Sequence, residues 1–127
     1  MTENNTINVD EKRKKVLEEF LKIKDSIIPW GDKAIDIYEK IELKEDVDKN
    51  MLKYEMLLAE MYDNSEKCLR LVNDNADVLN KNIMDSINKL RQETFNLVTQ
   101  LRSNYISLTD DHNSEILIKE MEELRKK

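Results

Sequence analysis

One glycine, one proline, one cysteine and one histidine are all that 127 residues contain, and each scarcity removes a class of answer. Sheet-rich folds turn often and use glycine and proline to do it, so sandwiches, barrels and glycine-rich phosphate loops are excluded. A single cysteine, Cys68, cannot close an internal disulfide, which points away from stapled extracellular domains and towards a reducing compartment. Two residues of the Cys and His type cannot supply the roughly four ligands of a structural zinc site. No apolar run approaches the roughly 18 residues needed to span a bilayer, and Met1 to Asp10 lacks the apolar centre of a signal peptide. A cytoplasmic setting is therefore expected, with signal-independent export left open.

Charged residues make up 38% of the chain and apolar residues 39%, the mixture of long helices and coiled coils. The formal net charge of −6 opposes binding to nucleic-acid phosphates. The basic clusters Lys12 to Lys15 and Arg125 to Lys127 are short, lie beside glutamates and read as solvated helix surface. Between Asp32 and Glu66 stand 11 acidic and 5 basic residues, enough to steer a basic partner.

Hydrophobic spacing then predicts an all-α chain: a bundle of three to four helices built on a long antiparallel, coiled-coil-like hairpin. Residues 1–9 are expected to be disordered or extended and 10–127 to form one helical domain. Asn8 with Glu11 resembles a capping box ahead of Val16, Leu17, Phe20, Leu21, Ile23, Ile27 and Ile28. Pro29 disfavours helical geometry in the residue before it, so the first helix is expected over 10–28. Asp32 is a natural cap for the next. Val47, Met51, Tyr54, Leu58, Met61, Ser65, Cys68 and Val72 alternate steps of four and three, a packing seam, giving a helix over 32–72. Leu79, Ile83, Ile87, Leu90, Thr94, Leu97, Leu101, Tyr105 and Leu108 repeat the habit over 77–108. The polar run Asn73 to Asp77 is the expected hairpin, and Lys44 to Asn50 is a weaker break. Thr109 to Ser114 should end the long segment before a last helix over 114–126, which carries Ile116, Leu117, Ile118, Met121 and Leu124.

No catalytic constellation is legible. Cys68 lies on an apolar seam, where it reads as a packing residue, and His112 falls in a polar run. Asp46, Asp48 and Asn50, like Asn73, Asn75 and Asp77, lack the glycine and the twelfth-position glutamate of a calcium loop. Acidic pairs such as Glu39 with Glu42 or Asp63 with Glu66 arise by chance in so acidic a chain. The expectation is a non-enzymatic interaction module, an adaptor or assembly partner without cofactor or metal, that binds another protein through an amphipathic helical face. A homodimer would give the last helix full cover. Trp30, Tyr54, Met56 and Tyr62 are the residues expected to meet the partner. The alternative is a small acidic protein that occupies a cationic groove on an enzyme.

Overall fold

The computed structural model describes the backbone of Thr2 to Lys126 and side chains from Val9 onward. Among the described residues there are three helices and no strand: α1 (Thr2–Glu42), α2 (Val47–Asn75) and α3 (Lys81–Lys126). The all-α bundle expected from spacing is what forms. Helix α2 is the middle member and packs along both others, whereas α1 and α3 meet sparsely.

The reason lies in how α2 distributes its buried positions. Asn50, Tyr54, Leu57, Met61, Asn64, Cys68, Leu71 and Asn75 form one seam of alternating four and three. Val47, Met51, Tyr54, Leu58, Met61, Ser65, Cys68 and Val72 form a second, and every member of both is buried or half-buried. The two seams share Tyr54, Met61 and Cys68, which are the most enclosed residues of the helix. One helix can thus serve two neighbours only where both seams overlap. Antiparallel pairing on one side is fixed by Glu19 of α1, 2.5 Å from Lys67. On the other side the Tyr54 hydroxyl donates to the Leu101 carbonyl at 2.9 Å. The Tyr54 ring stacks on Tyr105 with centroids 5.5 Å apart.

The expected stop at Ile28 does not occur, and the segments 10–28 and 32–42 belong to one helix. Val16, Phe20, Ile23, Ile27, Trp30, Ala34, Ile37 and Ile41 keep a four-three seam in phase straight across Pro29, and all are buried or half-buried. Proline inside a helix costs about 3 kcal/mol. Burying one large apolar side chain gains about 1.5–3 kcal/mol, and Trp30, Ile37 and Ile41 would all lose register if the helix broke. Pro29 itself and Asp25, whose carbonyl loses its helical donor, are exposed, which leaves that side of the helix open to water. At the start, the helical backbone begins at Thr2 rather than after residue 9, and Asn8 is not a helix start. Met1, Lys127 and the Asn8 side chain of the expected cap lie outside the described residues.

The break that does form is the weaker one. Glu45 N–H donates to the Lys40 carbonyl and Lys44 N–H to that of Ile41, the paired bonds of a Schellman ending with Lys44 at the left-handed position, φ 59°. Buried Asn50 locks the far side, its amide donating to the Glu45 carbonyl at 2.7 Å. Helix α2 therefore begins at Val47, not at residue 32. The α2–α3 turn falls at Ala76–Asn80, overlapping the end of the polar run that marked it. Val78 and Leu79 plug the bundle end, and Asn80 Oδ1 caps α3 by accepting from Ile83 N–H at 2.9 Å. The stop expected at Thr109–Ser114 is also absent, since α3 continues to Lys126. Asp, Asn, Ser and His are poor helix formers by at most about 0.7 kcal/mol each. Without glycine or proline nothing there outweighs a helix already anchored at Leu108. Thr109 Oγ1 donates back to the Tyr105 carbonyl at 2.9 Å, and His112 Nε2 lies 3.7 Å from Asp48 of α2.

Two measurements follow from this packing. A Cβ at Gly31 would meet nothing within 4 Å and its φ is not positive, so Gly31→Ala should raise unfolding stability by about 0.5–1 kcal/mol in urea titration. A turn at residues 29–32 would reverse the sign. Burial, with a smaller contribution from Tyr38, pushes the Tyr54 phenol from 10.0 up to about 12. Its folded value exceeds its unfolded one, so the stability it contributes is whole below pH 10 and lost as pH rises through 12, about 2–3 kcal/mol in all. Tyr54→Phe should cost about 1 kcal/mol at pH 7 through the lost hydrogen bond and show a visibly flatter decline between pH 10 and 12.

Candidate functional site

Because α1 and α3 lean on α2 and barely on each other, a groove runs between them along the bundle. Near the α2–α3 turn Leu17 and Phe20 of α1 face Asn80 of the turn and Ile83 and Ser86 of α3. One turn further, Phe20 and Lys24 face Ser86, Lys89, Leu90 and Glu93. Beyond mid-length, Ala34, Ile35 and Tyr38 face Leu101 and Asn104 across a floor made by Tyr54. At the far end the groove opens into a cleft where Tyr38, Ile41 and Leu108 meet Asp111, His112 and Glu115.

Its two lips differ in chemistry. On α1, Leu17, Leu21, Ile28 and Ile35 lie within about 40° of one another around the helix axis and all are exposed, Ile28 by 75% and Ile35 by 58%. The α3 lip is polar, carrying Ser86, Lys89, Glu93 and Asn104. Four exposed aliphatic residues on one stripe, contiguous with half-buried Phe20, Ile27 and Tyr38, form an apolar patch rather than scattered single residues.

Of the four expected contact residues, two take other roles. Trp30 is 6% exposed and Tyr54 1% exposed; both sit on the seams that hold α1 and α3 against α2, so neither is offered to a partner. Met56 and Tyr62 are exposed on α2, but residues six apart point about 120° away from each other, and they form no common surface. Sequence reasoning missed the α1 stripe because it ended a helix at Ile28. Leu21, Ile28 and Ile35 recur every seven residues across Pro29, and that recurrence was the available signal.

The polar chemistry is dispersed. Cys68 is buried and free, and burial raises its thiol above the ordinary value, which disfavours the nucleophilic thiolate. His112 lies level with Asp48, and from there to Cys68 is about 30 Å along α2. Among the described residues no three His, Cys, Asp or Glu side chains cluster as metal ligands would. Glu19 is held below the usual carboxylate range, first by its hydrogen bond to Lys67, a contact that ties α1 to α2. The acidic stretch is interleaved with lysines where α1 and α2 meet: Lys33, Lys40 and Lys53 stand among Asp36, Glu60 and Asp63, and Lys40 pairs with Asp36 at 3.1 Å. No described helix is long and apolar enough to cross a membrane.

No protein-family model, curated protein or solved structure matches the chain.

Proposed function

We propose that the protein is a non-enzymatic interaction module that receives an amphipathic helix of another protein in the α1/α3 groove, completing a four-helix bundle. The observation that carries the reading is the exposed stripe Leu17, Leu21, Ile28 and Ile35 bordering an open seam of the core. An incoming helix would lay apolar residues on that stripe and polar ones on the α3 lip, the helix-in-groove mode of recognition. The net charge of −6 supports a protein partner over nucleic acid, and the unpaired, buried Cys68 supports a reducing, cytoplasmic setting. The dispersed Cys68 and His112 support a role without chemistry of its own.

The test is a comparison of captured partners. With Ile28→Glu/Ile35→Glu, partner affinity should fall at least about 100-fold, because two large apolar anchors at about 1.5–3 kcal/mol each are lost. Urea stability should move by no more than about 0.5 kcal/mol, since both sites are exposed. Met56→Glu/Tyr62→Glu, on α2 away from the groove, should retain the partner. Equal binding by all three proteins, or binding abolished by moderate salt alone, would instead place the contact on the acidic surface.

A further inference from the structure

Beyond the groove, α3 carries a second unpartnered face. Among the described residues, Lys44 pairs with Glu115 at the bundle end at 3.1 Å, and from there α3 continues to Lys126 over about 16 Å. The side of α3 that packs on the bundle turns charged in this projection, at Glu115, Lys119, Glu123 and Lys126. The opposite side turns apolar, with Leu117, Met121 and Leu124 exposed. That apolar line continues back along the outside of the bundle through exposed Ile106 and Phe95 and half-buried Met84. Met84, Phe95, Ile106 and Leu117 are spaced by eleven, three turns of helix, which keeps them on one face. Between them stand Asn88, Gln92, Thr99, Ser103 and Asn113, with Asp85, Arg102 and Asp110 the charges on this face. In a chain that is 38% charged, apolar and uncharged polar residues outnumber charged ones on this solvent face, as they do at an interface centre.

We infer that the occupant of this face is a second copy of the chain, with the two α3 helices antiparallel and a two-fold axis passing through Ile106. The spacing is symmetric about that residue, so Phe95 of each copy meets Leu117 of the other and Ile106 meets itself, as an isologous contact requires. Charge selects the orientation. From Lys81 to Tyr105 α3 has four basic and two acidic residues, and from Ser107 to Lys126 three basic and six acidic. In the antiparallel register Arg102 faces Asp110 of the other copy, Arg91 faces Glu120, and Asp85 faces Arg125, each within a residue or two of directly opposite. A parallel pair would set like charges against like. The register also explains the projection, which lies along the outer face of the other copy's α3 from about residue 86 onward, a contact about 60 Å long.

Light scattering and sedimentation equilibrium test this on the full chain at about 100 µM and low salt. The expected mass is twice 15.1 kDa. Ile106→Glu, at a site 51% exposed, should keep its helical circular dichroism and dissociate at least 100-fold more readily. Arg102→Glu should weaken association about tenfold, and Arg102→Glu/Asp110→Arg should restore it, because the two sites lie too far apart along one helix to pair within a chain. Ile28→Glu/Ile35→Glu should remain dimeric, which separates this contact from the groove. A monomer at that concentration, a dimer indifferent to Ile106→Glu, a charge swap without rescue, or a dimer lost with the groove variant would overturn the inference.

Discussion

Everything in this fold depends on the three positions where the two seams of α2 coincide. Tyr54, Met61 and Cys68 are each required to fill space for α1 and for α3 at once, and they are buried to that degree. A helix with a single seam would have made a hairpin. The second seam recruits a third helix, but the shared line is only one residue wide at each layer, so both neighbours crowd the same strip of α2 without enclosing each other. The sparse α1–α3 contact and the groove above it are consequences of that arrangement.

Length compounds the effect. Helix α2 has 29 residues, whereas α1 has 41 and α3 has 46. The middle helix therefore sets the length of the core, and each outer helix runs past it at one end. Lys12 with Asp77 at 3.2 Å, and Arg13 with the Val78 carbonyl, mark where α1 enters the bundle; Lys44 with Glu115 marks where α3 leaves it. These exposed pairs add little energy. Their value is positional, because they show that the surplus length of each outer helix is not needed to cover the core.

What was legible in the residues, and what was not, divides along the range of the forces involved. The α2 and α3 seams were readable because each recurs at helical intervals with nothing local opposing it, and the α2–α3 turn was readable to within a few residues because Asn and Asp side chains compete there for backbone bonds. Pro29 and the run Thr109 to Ser114 misled because both are local preferences, worth about 3 kcal/mol in the first case. Unbroken phase from Val16 to Ile41 reports non-local burial worth more. The site was less legible still. Trp30 and Tyr54 drew attention as aromatic residues, yet their spacing placed them on seams, and spacing outweighs chemical type in deciding which way a helical side chain faces. The aliphatic stripe on α1 is visible only once the helix is known to be continuous.

The projecting end of α3 obeys the same rule of spacing. Had that segment simply been a longer bundle helix without a neighbour, its apolar residues would continue the line of Leu101 and Leu108. Instead Leu117, Met121 and Leu124 lie on the far side and Ile116 and Ile118 on the two flanks, while the continued line is occupied by Glu115, Lys119 and Glu123. A helix that changes the face it greases partway along suits the two proposed neighbours, one on each side of its axis. The first is the bundle, which ends at Glu115. The groove lies on the α1 flank of α3 and the second apolar line on its outer flank, so a helix seated in one leaves the other free. Occupying both would extend the bundle on two sides at once, which turns a small three-helix unit into a joint between larger bodies.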